Sequence, residues 1–139
     1  MTKHSEVLSW ISDLTGDNFL AVYDVGLDIR EALQMDEEPV IPLFQPAVKF
    51  SALLPMDGIN LRDRYCDLRW KATGLLKKQG IIKDYSLLEG LHRWESRLKI
   101  YCDAEKVNSF IKIMDSEFTR RTQPSRAQKV PADMKSRTL

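Results

Sequence analysis

A chain of 139 residues, 43% of them hydrophobic, with 21 basic against 20 acidic side chains, is long enough to bury one core and too evenly charged to be held open by self-repulsion. No apolar run is long enough to span a bilayer and Met1 to Ser9 lacks the hydrophobic centre of a signal peptide, so no membrane partner is expected and the expected setting is cytoplasmic. Cys66 and Cys102 stand at no metal-ligand spacing and read as free thiols, and neither a metal nor a cofactor is expected.

In chain order, Ser5 to Leu14 comes first, where Val7, Leu8, Ile11 and Leu14, with Trp10 at the edge, mark a short amphipathic helix ended by Thr15-Gly16-Asp17. From Asn18 to Val25 the apolar residues fit a helix and a strand about equally, with a lean to helix; Gly26 then interrupts the pattern. Leu27 to Met35 reads as a further helix, closed by Asp36, Glu37 and Glu38. Residues 1–38 form an acidic helical part, with Asp24, Asp28 and Glu31 among the carboxylates, whereas the later chain is basic. Attraction between two halves of one fold is the plainest meaning of such a split.

Residues 39–56 carry Pro39, Pro42, Pro46 and Pro55 among Val40, Ile41, Leu43, Phe44 and Phe50. Proline removes a backbone donor and drives its predecessor toward extended geometry, so neither a regular helix nor a central strand is expected. The spacing predicts a proline-interrupted arm that wraps its own domain or crosses to a partner, with Phe44 and Phe50 as its anchors.

Residues 57–121 hold three periodic signals in a row. Leu61, Tyr65, Leu68, Ala72, Leu75, Leu76 and Gln79 recur at helical spacing and predict a long helix, capped by Asp57 or Asn60 and stopped at Gly80. The pattern then changes to period two. Ile81 to Leu87 pairs with His92 to Cys102, where Trp94, Leu98, Ile100 and Cys102 face inward between charged neighbours, and Glu89-Gly90 supplies the loop. Asp103 caps a closing amphipathic helix with Val107, Phe110, Ile111, Met114 and Phe118 inside. The expected fold class is therefore α+β and mainly helical, in a single globular domain over 1–121. Residues 122–139, polar and holding Pro124 and Pro131, read as a flexible basic tail.

The run Leu75-Leu76-Lys77-Lys78-Gln79-Gly80-Ile81-Ile82, followed by a hairpin rich in Arg and Lys, resembles the end of the recognition helix and the wing of winged-helix domains. The resemblance covers residues 75–102. It implies duplex DNA binding and a transcription-regulatory role, with the helix in the major groove and the wing on the backbone. Arg62, Arg69, Lys77 and Lys78 on the helix and Arg93, Arg97 and Lys99 on the hairpin would then meet phosphate.

Another reading starts from Trp70, which lies opposite the core stripe together with Cys66, Gly74 and Lys77. Either the N-terminal half or the arm covers it, or it stays exposed as an anchor for a protein partner or a second copy of the chain. This makes the chain an interaction adaptor, with Trp70, Phe44 and Phe50 as the binding residues. Catalysis is not expected: His4 and His92 have no nucleophile or acid at a suggestive spacing, and Cys102 ends an inward-facing strand.

Overall fold

The computed structural model describes residues 2–45 and 61–122. In chain order these form α1 (Thr2–Asp13), α2 (Gly16–Gln34), β1 (Val40–Pro42), α3 (Leu61–Lys78), β2 (Ile82–Leu88), a single 3-10 turn (Arg93–Glu95), β3 (Arg97–Cys102) and α4 (Ala104–Thr122). The expected α+β class is what forms, as a helical layer against one face of a three-stranded antiparallel sheet.

α2 is one helix, not two. Gly26, expected to interrupt it, is instead where it touches α4: a Cβ at that position would lie 2.8 Å from Ile111 Cδ1 and 3.3 Å from the Phe110 ring. Glycine is there for closeness, and the 3.6-residue pattern runs through it. The helix ends when Asp36 turns to a φ of +59°, while the Glu37 and Asp36 N–H groups donate to Ala32 and Leu33 at 3.0 and 3.1 Å. Gly80 ends α3 by the same device, with a φ of +78° and with Ile81 and Gly80 donating to Leu76 and Lys77, each at 3.0 Å.

α2 carries the main helix-to-helix contacts, with α3 along one side and α4 along another. Val22, Val25 and Ile29 from α2, Leu76 from α3 and Phe110, Ile111 and Met114 from α4 are sealed from water in one core. α1 docks by its C-terminal half: Ile11 and Leu14 are buried, Trp10 stacks on Phe110 with ring centres 6.1 Å apart, and the Arg121 guanidinium donates to the Ile11 carbonyl at 2.8 Å.

The strand order is β1-β3-β2, with β3 in the middle. Val40–Pro42 pairs with β3 as an edge strand, Ile41 opposite Leu98, which puts Pro42 where a missing ladder donor costs least. The rest of the proline-rich segment, Phe50 included, lies outside the described residues, as do Asp57, Asn60 and residues 123–139. Across the hairpin Tyr85 faces Ile100 and Leu87 faces Leu98, with a register shift at Lys83. β3 begins later than its alternation suggested, at Arg97, because the preceding residues close a 3-10 turn in which the His92 N–H donates to Glu95 Oε1 at 3.0 Å. Trp94 therefore lies in the loop, while Leu98 and Ile100 are buried as expected.

Candidate functional site

Arg69 defines what α3 shows to each side. Expected on a phosphate-facing surface, it is 1% exposed and points into the protein. Its guanidinium reaches Asp24 Oδ2 at 2.6 Å, Asp28 Oδ2 at 2.7 Å and the Pro42 carbonyl at 3.0 and 3.2 Å. Asp24 and Asp28 stand four residues apart on α2 and so share one face of it. The planar fork of arginine suits two carboxylates and a carbonyl at once, which a lysine could not satisfy. Burial pushes the Asp24 carboxyl up to about 6, with Arg69 pulling against it and Asp28 adding to the push. Burial likewise raises Asp28, again against Arg69. The triad clamps α2, α3 and the end of β1 together.

Cys66 was expected opposite the core and is fully buried beside this clamp. The buried face of α3 is Tyr65, Cys66, Arg69, Ala72, Thr73 and Leu76, turned by part of a helical step from the apolar stripe of the sequence. The turn follows from two carboxylates on α2 drawing Arg69 inward. Burial raises the thiols of both Cys66 and Cys102, so neither is poised for thiolate chemistry. Among the described residues no group of His, Cys, Asp or Glu could hold a metal ion, and no helix is long and apolar enough to cross a membrane.

The other predicted cations are exposed but mostly engaged. Arg62 lies over the Trp94 ring at 4.0 Å, and Trp94 stacks on His92 at 4.6 Å, which ties the hairpin loop to the start of α3. Arg93 pairs with Asp67, Lys77 with Asp84 at 3.1 Å, and Lys99 with Glu38 at 3.5 Å. Lys78 and Arg97 make no ion pair among the described residues. Phe44, expected as an anchor of the arm on its own domain or on a partner, is half-buried against this chain's own core and meets Tyr65 edge-on with ring centres 5.8 Å apart.

Trp70 keeps its exposure, at 40% of its surface. It meets Tyr85 of β2 edge-on, ring centres 5.4 Å apart. Next to them on the same face of β2 is Leu87, 38% exposed. Trp70, Tyr85 and Leu87 thus form an apolar ledge where α3 runs beside β2. Among the described residues β2 has no strand on its outer side. Lys71 and Lys78 of α3 and Lys83 of β2 make no ion pair among the described residues, while Lys77, paired with Asp84, lies over the Tyr85 ring at 5.9 Å. The one sequence signal for the ledge was the tryptophan; Leu87 became part of it because the sheet extends past the helix that covers its other half.

No protein-family model, no curated protein and no solved structure matches this chain.

Proposed function

We propose that this chain is a non-catalytic binding module that recognises a protein segment along the ledge of Trp70, Tyr85 and Leu87 and the open edge of β2. The observation that carries the reading is Trp70, a large aromatic kept 40% exposed at the junction of a helix and a sheet edge. An unpaired edge offers backbone donors and acceptors to an added strand, and an aromatic ledge beside it gives that strand's alternate side chains somewhere to bury. Tryptophan in such a setting is the commonest kind of hot spot. Lys71, Lys78 and Lys83, outside ion pairs among the described residues, favour a segment that carries acidic residues between its apolar ones.

Selection from a random peptide display library against the purified chain tests this. Enriched peptides should alternate apolar residues with Asp or Glu and should be lost on Trp70→Ala. Enrichment that survives that substitution overturns the reading.

A second reading, nucleic-acid binding, is favoured by the resemblance to winged-helix domains together with Lys78 and Arg97, both exposed and outside ion pairs among the described residues. Against it stand the burial of Arg69 and the carboxylates already paired with Lys77, Arg93 and Lys99. Fluorescence anisotropy with a DNA duplex separates the two: phosphate contacts predict affinity at low salt that falls steeply as salt rises.

A further inference from the structure

The geometry points to a small-molecule site for an apolar organic cation, in the cavity between α1, the α3–β2 joint and α4. The cavity has a volume of about 360 Å³ and is lined by none of the ledge residues. That volume is in the range of pockets that hold drug-sized ligands. Its floor is apolar, made by Val7, Ile81, Phe110 and Ile113. α1 is seated most deeply by its C-terminal half, where Ile11 and Leu14 are buried and Trp10 stacks on Phe110, while Val7 one turn earlier is only partly covered.

The rim gives the sign of the ligand. Glu6 and Glu105 stand on opposite walls, exposed and outside any ion pair among the described residues. The single rim ammonium, Lys106, donates to the Gly80 carbonyl at 3.4 Å and is held over the joint. The C-terminal end of α3 adds partial negative charge to the same mouth. The opposing N-terminal end of α4 is already answered by Asp103, whose carboxylate accepts the Glu105 N–H at 3.1 Å. An apolar body fills the floor, and a positive group sits between the two glutamates.

Three probes with one body decide this: 4-phenylbutylammonium, 4-phenylbutanol and 4-phenylbutyrate, titrated into the full chain and followed by amide and indole NMR shifts. Trp10 is the built-in reporter, since it stacks on Phe110 of the floor. The ammonium should bind most tightly and the carboxylate most weakly, with shifts centred on Val7, Ile81 and Ile113. The double substitution Glu6→Gln, Glu105→Gln should weaken the ammonium ~10-fold, about the effect of two exposed charge contacts, and leave the alcohol unchanged. Ser109→Trp, which fills the cavity from an exposed position, should abolish all three. Equal affinity for the three probes, an ammonium affinity indifferent to the double substitution, or no shift at the lining residues at millimolar probe overturns the assignment. None of these results depends on the Trp70 ledge.

Discussion

At the scale of single residues, the Arg69 clamp is where the energetics concentrate. A guanidinium withdrawn from water between two carboxylates and a carbonyl does not add stability simply by being a salt bridge, since desolvation offsets much of the attraction. Removing one member is another matter. Arg69→Met should cost about 3–5 kcal/mol in urea unfolding, because Asp24 and Asp28 are left facing each other without a counter-charge. A loss under ~1 kcal/mol would mean that water reaches the pair. Adding Asp24→Asn and Asp28→Asn to Arg69→Met should recover part of the loss, the coupling that a double-mutant cycle reads.

The same residues set a pH dependence. Asp24 binds its proton more tightly in the folded protein, near pH 6, than in the unfolded chain, where the ordinary value is 3.8. The folded state therefore holds more protons between those values, and stability from this group is full on the acid side and falls as pH rises through 6. Asp24→Asn cannot lose a proton. Its stability relative to the parent chain should rise by about 1 kcal/mol between pH 5 and pH 7.5, measured by thermal or urea unfolding at each pH. A difference that stays flat across that interval would show that Asp24 titrates normally.

At the scale of elements, the hairpin loop shows how a glycine is fixed by its surroundings. A Cβ on Gly90 would lie 2.7 Å from the Glu95 backbone carbon and 2.8 Å from its oxygen, and backbone cannot give way as a side-chain tip does. The Gly90 N–H also donates to the buried Ser96 hydroxyl at 3.1 Å. Gly90→Ala should thus open the 3-10 turn and separate Trp94 from Arg62, at a cost of about 1–3 kcal/mol. Faster amide exchange at residues 92–96, with α2 and α4 unchanged, is the expected sign. Unaltered exchange there would mean that the loop accommodates the methyl group.

At the scale of the molecule, α2 joins α3 to α4 and the sheet covers only one side of that layer, which leaves the α3–β2 ledge exposed among the described residues. Trp70→Ala removes one edge-on ring contact and the part of the side chain that is covered, so unfolding stability should fall by about 1–3 kcal/mol with the fold kept, while peptide binding is lost. A large stability loss would make Trp70 a core residue and remove the ledge from consideration. The ion pairs Arg69–Asp24, Arg64–Asp17 and Lys99–Glu38 join the acidic N-terminal part to the basic later part, as the charge split implied.

Local signals were readable in the chain because they act over a few residues. Gly80 as the stop of α3, Asp103 as the cap of α4, Leu98 and Ile100 as one face of a strand, and Val107 to Met114 as a buried stripe all follow from helical or strand periods alone. What periodicity cannot weigh is a partner distant in sequence. Gly26 read as a break because Phe110 and Ile111, which require it, are more than eighty residues away. Arg69 read as a surface cation because Asp24 and Asp28 become its neighbours only when α2 lies along α3, and that contact rotates the buried face of α3 and brings Cys66 inside. The sequence by itself determined α1, α3, the hairpin and α4, through short-range hydrogen bonding and amphipathic spacing, but not the continuity of α2 or the edge strand β1. Only the tertiary structure decided which charges are buried, since burying an ion depends on counter-ions that packing, not sequence neighbourhood, supplies.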